Sequence, residues 1–431
     1  MRVLLVAVGS RGDVAPFTGL GIALRAAGYQ VTVAAYERFE GFVRAHGLRF
    51  HPIPGDPESL GASDQGQRWQ RGGSGPLGVT RFLRLVSEHM RDVNAAILGA
   101  ARDGADVVLA SGQAMFGSYH VAESLGLPSI GMALQPMHVT GDFPPPSITT
   151  RSMGRWGNRV LGGAMVTNGG AALLRPSQRL WADEGLPAFD IRAMFRQQRA
   201  TGWPVLYGFS PHVVPRPTDW REGLDLAGYW WSPPPVAEWT PPAELEAFLR
   251  AGPPPVFIGF GSRNADASEL GAVLADARRY AGVRMVVQAG WAGLRGEAGA
   301  AENSGIGDDV ITIGDVPHEW LFPRMAAVVH HGGAGTTAAG LRAGVPSFAV
   351  PLVIDQPFWA NRLANLRVGP PPVRYARLSG PTLGAALADA VNRDSYRSRA
   401  SDLAELLSYE DAVTPVLCAL DRIGTRPHRS Q

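Results

Sequence analysis

Residues 328–362 read VVHHGGAGTTAAGLRAGVPSFAVPLVIDQPFWANR. An apolar run delivers His330 and His331 to the turn Gly332-Gly333-Ala334-Gly335-Thr336-Thr337, after which the pattern becomes helical. Backbone amides at a helix N-terminus attract an anion, and very small side chains let it approach closely. Thr336 and Thr337 can cap such a helix and add hydroxyl donors. A histidine beside the turn can donate to a phosphate oxygen. Together these residues suit a diphosphate. Asp355-Gln356 follows the next apolar run by a few residues. A carboxylate beside an amide can hold vicinal hydroxyls of a sugar; a plain turn aspartate capping a helix over 357–364 would read the same way. Ser262, closing Gly259-Phe260-Gly261-Ser262, can donate to a phosphate or simply end a strand.

The same residue types exclude other chemistry. Neighbouring residues on a strand face opposite ways, so His330 and His331 do not share one metal ion easily. His318-Glu319 has no second histidine at zinc-protease spacing, and no Asp-X-Asp occurs; no required metal is expected. All 40 basic residues are arginine. Without lysine there is neither a P-loop nor a pyridoxal Schiff base. A net charge of +2 gives no reason to expect nucleic acid as a partner. The single cysteine, Cys418, allows no intrachain disulfide and no cysteine zinc site; it reads as a buried, inert thiol in a reducing cytoplasm. The opening MRVLLVAVGS has too short an apolar core and no cleavage site for a signal peptide. No apolar run reaches the ~18 residues of a membrane helix, so no stable membrane insertion is expected.

These groups need a scaffold, and the chain supplies a repeated one. Residues 3–8 are continuously apolar, as in a strand buried on both faces. A glycine turn, a helical stretch over 16–27 and a strand over 29–36 follow, making a βαβ unit. Strands over 106–111 and 128–134 flank a helix near 116–125. Proline density marks a linker at 216–254. The pattern then restarts, with strands over 255–259, 283–288, 309–313, 326–331 and 345–350 and helices over 267–281, 317–325 and up to about 343. The fold class is α/β: two Rossmann-like, doubly wound domains, 1–215 and 255–405, facing across a cleft. Residues 406–431 form a C-terminal helix and tail, with helical spacing from about 400 to 423. Residues 54–79 and 141–147 read as loops.

Taken together, GSRGDVAP near the start, IGFGS in the middle and HEWLFPR…HHGGAGTT…DQPFWANR near the end resemble the family 1 inverting, metal-independent glycosyltransferases of GT-B architecture. The likeness is to the bacterial antibiotic glycosyltransferases and the sterol glucosyltransferases, and it spans nearly the whole chain. It implies inverting transfer of a sugar from a UDP- or dTDP-sugar to a hydroxyl of an apolar natural-product acceptor, such as a polyketide, glycopeptide or sterol-like aglycone, in secondary metabolism. Domain 1–215 would take the acceptor and domain 255–405 the nucleotide sugar, a co-substrate; no cofactor is implied.

By the same resemblance Asp13 stands in the place of the catalytic base, in Gly12-Asp13-Val14-Ala15-Pro16. His331 would bind the diphosphate with the amides of Gly333, Ala334 and Gly335, Thr336 and Ser262. Ser10, Arg11 and Gly12 would lie near that diphosphate. Val316 would meet the nucleobase through its backbone, and Asp355 and Gln356 would hold the transferred sugar. Two departures from the pattern of the family's plant members stand out. Gly314-Asp315 replaces a stacking tryptophan, and Ala339 replaces a glutamate for the ribose hydroxyls; the nucleobase and sugar stay open. The acceptor would lie against 54–79 and 135–147, with Trp69, Phe116 and Phe143 as lining candidates. Arg11-Gly12-Asp13, as a tripeptide, also matches an adhesion signal, but it follows a buried strand instead of tipping an exposed hairpin. The alternatives are a nucleotide-sugar epimerase on the same fold and an inactive relative assisting another enzyme. Oligomeric state is not legible.

Overall fold

A computed structural model describes residues 1–56, 76–232, 239–260, 267–288 and 309–424. The chain forms two compact units, Met1–Glu238 with Glu410–Gln431, and Trp239–Tyr409.

The first unit holds seven strands, β1 (Arg2–Val6), β2 (Gln30–Tyr36), β3 (Arg49–Ile53), β4 (Val107–Ser111), β5 (Ser129–Ala133), β6 (Val205–Tyr207) and β7 (Leu224–Leu226). They pair in the order β3-β2-β1-β4-β5-β6-β7. Every pairing is parallel; Leu5 lies opposite Val33 on one side and Leu109 on the other. Such strands bury both faces, and Leu5, Val33 and Leu109 are fully buried. Each such side chain contributes ~1.5–3 kcal/mol relative to exposure. This is why β1, β2, β4 and β5 read as uninterrupted apolar runs. The strand order reverses between β1 and β4, where α/β sheets open a crevice at their carboxyl ends.

The second unit repeats the plan with β8 (Val256–Gly259), β9 (Met285–Gln288), β10 (Val310–Ile313), β11 (Ala327–His330) and β12 (Ser347–Ala349). Their order is β10-β9-β8-β11-β12, again all parallel. The reversal falls between β8 and β11. Two doubly wound parallel sheets are thus present, as the chain pattern requires.

Several expectations need correction. The first helix runs Arg11–Ala26, so Asp13 lies in its first turn and not in a turn ahead of it. Pro16 sits inside the helix, where it lacks only the N–H that would bond the carbonyl of Gly12. Residues 76–79 belong to helix Pro76–Ser87 and not to a loop; residues 57–75, including Trp69, lie outside the described residues. The helical stretch over 400–423 is two helices, Asp394–Ser408 and Thr414–Gly424. Asp411 Oδ1 accepts from the amides of Val413 and Thr414 at 3.1 and 3.0 Å, an Asx turn that ends one helix and starts the next. The second helix packs into the first unit through the fully buried Val416 and Leu420. It turns Cys418 outward, so that thiol is exposed and not buried. Among the described residues no helix is long and apolar enough to cross a membrane.

Candidate functional site

At the carboxyl end of β1, Gly9 adopts φ +149° and Ser10 is extended, at ψ 178°. Helix Arg11–Ala26 begins there. Asp13 Oδ2 accepts two hydrogen bonds from Ser10, from its backbone N–H at 2.7 Å and its hydroxyl at 2.9 Å. A side chain on Gly9 would put its Cβ 2.3 Å from that oxygen, so only glycine fits. A carboxylate in a first helical turn also faces the positive end of the helix dipole. Burial pushes the Asp13 carboxyl above the usual range, against the lowering effect of the Ser10 hydroxyl and amide. Tyr36, ending β2, is pushed up to about 12 by burial, then by the nearby charges of Asp13 and Asp56. The Arg11 guanidinium lies 5.3 Å from the Phe42 ring centroid, and Gly12 is exposed.

Beyond β5, the segment 136–146 and helix Gly154–Leu174 enclose a small cleft lined by Met137, His138, Phe143, Pro145, Met165 and Val166. Two carboxylates hold the segment. Asp219 accepts from Thr140 Oγ1 at 2.6 Å and from the Gly141 amide at 2.8 Å. Arg159 Nε reaches the same carboxylate at 2.8 Å. Burial alone would raise Asp219; these three donors outweigh it and hold it at about 2. Asp142 accepts from the Thr218 amide at 2.7 Å. The His138 amide donates to the Tyr207 hydroxyl at 3.3 Å, and the same hydroxyl is hydrogen-bonded to His138 Nδ1 at 2.5 Å. Burial lowers His138 to about 3, which favours the neutral ring. Phe143 lines this cleft, and Phe116 packs edge-on against Phe195 at 5.7 Å.

In the second unit, β11 delivers its two histidines to different surroundings. His330 is fully buried, and its Nδ1 accepts from the Gly332 amide at 3.0 Å. Burial, then the neighbouring His331 and His318, push it well below the ordinary histidine value. His331 is half-buried, with its ring perpendicular to that of His330 at 6.4 Å. Helix Ala334–Arg342 starts from Gly333 with no side-chain cap. Its Thr337 amide bonds Gly333 O at 2.9 Å, and the amides of Ala334, Gly335 and Thr336 ahead of it have no partner within the helix. Thr337 is buried and Thr336 half-buried; neither caps the helix, contrary to expectation.

Two close approaches assemble this site. At Gly332, φ +86°, an added Cβ would stand 2.8 Å from Gln356 O, which seats the 355–356 turn directly on the glycine turn. At Gly333 an added Cβ would stand 2.5 Å from His331 Nε2, so the imidazole lies over the start of the helix. Gln356 Oε1 accepts from the amides of Leu352 and Val353 at 2.9 and 3.2 Å, which turns its NH₂ outward as a donor. Asp355 stands at the N-cap of helix Gln356–Leu366, yet its carboxylate makes no cap bond and instead accepts from the Trp359 indole at 2.8 Å. The nest, His331 and the Asp355-Gln356 pair are therefore neighbours. Val316 buries its side chain with Phe257, Leu321 and Phe322. Helix His318–Leu321, just after it, packs on helix Ala334–Arg342. Ser262 lies outside the described residues.

Residues 3–141 match the glycosyltransferase family 28 N-terminal domain, and residues 296–417 the erythromycin biosynthesis protein CIII-like C-terminal domain. A sterol 3-beta-glucosyltransferase of Arabidopsis thaliana is 32% identical over 98% of this chain and 68% of its own length. O-mycaminosyltylonolide 6-deoxyallosyltransferase of Streptomyces fradiae is 32% identical over 96% of this chain and 95% of its own length. The crystal structure of the kitacinnamycin glycotransferase superposes with a TM-score of 0.70 at 19% identity, covering 98% of both chains; this likeness speaks to the fold.

Proposed function

The chain belongs to the glycosyltransferase family that includes the sterol 3-beta-glucosyltransferases and O-mycaminosyltylonolide 6-deoxyallosyltransferase, and on that premise we propose that it transfers a sugar, with inversion, from a UDP- or dTDP-sugar to a hydroxyl of an apolar acceptor. The observation that carries this reading is the contact of Gly332 with the backbone of Gln356. It sets an anion-binding helix start beside a carboxylate and an amide, the two kinds of group that a diphosphate-linked sugar requires.

In this reading the acceptor oxygen forms a bond to the anomeric carbon as the bond from that carbon to the diphosphate oxygen breaks on the opposite face. The hydroxyl proton passes to Asp13. The leaving diphosphate gains negative charge, met by the amides of Ala334, Gly335 and Thr336 and by His331. Asp355 accepts from sugar hydroxyls and Gln356 donates to them. Val316 meets the nucleobase through its backbone. An aspartate is a weak base, so it serves best when proton loss accompanies attack on a sugar carbon already carrying positive charge. The burial that raises the Asp13 carboxyl improves it for this task. The acceptor lies against the apolar cleft of Met137, Phe143 and Met165. No step in this scheme calls for a metal ion.

The test is a matrix of UDP- and dTDP-sugars against hydroxylated polyketide, macrolide and sterol aglycones, with the anomeric configuration of any product read by NMR. An inverted glycoside supports the reading. A retained configuration, or turnover of donor to an isomeric sugar nucleotide without acceptor, overturns it.

A further inference from the structure

Trp359 is 1% exposed, one turn beyond Asp355 on helix Gln356–Leu366. A buried indole N–H needs a partner, and this one donates to Asp355 Oδ2 at 2.8 Å. Its ring is held edge-on by Phe358, with centroids 5.2 Å apart, so the donor has little freedom to turn. The neighbouring member of the pair is fixed differently, by the amides of Leu352 and Val353 on Gln356 Oε1. Between these two anchors Ile354 adopts φ +54°, a left-handed conformation that a β-branched side chain resists. The turn therefore presents its carboxylate and its amide in set directions against the local preference of the backbone.

We propose that Trp359 is a positioning residue for the donor sugar: its indole N–H aims the Asp355 carboxylate at the sugar hydroxyls without itself touching the nucleotide. The proposal rests on the reading of Asp355 as a sugar-holding group. It predicts an effect confined to the sugar. The nucleoside diphosphate is bound by the nest and His331, which make no use of the indole.

Trp359→Phe keeps an aromatic ring in the core and removes the N–H. Affinities for UDP, dTDP, UDP-glucose and dTDP-glucose are measured by calorimetry, and steady-state kinetics with whichever sugar nucleotide the wild-type protein turns over. The expected result is nucleoside diphosphate affinity unchanged within about twofold and donor kcat/KM lowered by roughly 10- to 100-fold. In an Asp355→Ala background the further loss from Trp359→Phe should vanish, because the group it positions is gone. If Trp359→Phe folds poorly, benzothienylalanine at position 359, isosteric with sulfur in place of N–H, serves as the second variant. An unchanged donor kcat/KM, an equal loss of nucleoside diphosphate affinity, or the same loss with and without Asp355 overturns the proposal. If neither UDP nor dTDP binds the wild-type protein, the donor-site reading itself fails, and the proposal with it.

Discussion

The Ser10 amide and hydroxyl both donate to the same oxygen of Asp13, at 2.7 and 2.9 Å. One carboxylate thus ties the chain into the start of helix Arg11–Ala26 and is held half-buried at the carboxyl end of β1. Tying down the start of the helix and taking a proton are compatible roles for this one carboxylate. They also separate experimentally.

Asp13→Asn keeps an oxygen able to accept from Ser10 and removes the proposed base. Turnover should fall by ~10²–10⁴-fold with nucleoside diphosphate affinity retained. Stability should not fall. The folded Asp13 holds its proton more tightly than the unfolded chain does, so its contribution to stability declines as pH rises from the ordinary carboxylate range through its raised value. At neutral pH the charge opposes folding, and the asparagine removes that opposition. A melting temperature at pH 7 well below wild type would mean the carboxylate is chiefly structural.

Ser10→Ala probes the proton affinity of the proposed base, Asp13, directly. The Ser10 hydroxyl lowers the Asp13 value that burial raises. Only the ionised form can act as base, so activity is lost as pH falls through that value. Without the hydroxyl the acid limb of kcat/KM should move to higher pH, while the alkaline side stays in place. A limb that stays put or moves down argues against Asp13 as the titrating group.

Gly333→Ala tests the donor side. The new methyl would stand 2.5 Å from His331 Nε2, the far end of a side chain, so the ring must swing away. The variant should fold and should lose nucleoside diphosphate affinity to about the extent of His331→Ala, with no further loss in the double variant. Calorimetric titration with UDP and dTDP reads this. Full affinity in Gly333→Ala would show that the ring position does not matter.

Much of the scaffold was legible because strands buried on both faces are written as unbroken apolar runs. The exceptions have local causes. β3 carries His51 and Pro52, β7 carries Asp225, and β6 is three residues long, too short for any pattern. Helix Gly154–Leu174 holds glycines at 154, 157, 162, 163, 169 and 170, which hide its propensity. Pro16 suggested a later helix start than the one Ser10 and Asp13 fix. The apolar stretch around Cys418 implied burial, but helical spacing turns Val416, Ala419 and Leu420 inward and leaves the thiol outside. In the candidate site, the glycine turn, His331 and Asp355-Gln356 were readable from residue type. Trp359 was not, because its tie to Asp355 exists only once a helix sets them one turn apart. His138 was hidden for a similar reason: its partner Tyr207 is 69 positions away on an unrecognised strand.

The last helix, Thr414–Gly424, belongs to the first unit although the whole second unit intervenes in the chain. Trp230 confirms the tie, donating its indole N–H to Ala412 O at 3.0 Å. A hybrid built by exchanging the second unit between relatives therefore needs two crossovers, near 238/239 and 409/410. A single splice at the first junction would graft a foreign tail into the first unit's own core, with Val416 and Leu420 among the side chains mismatched.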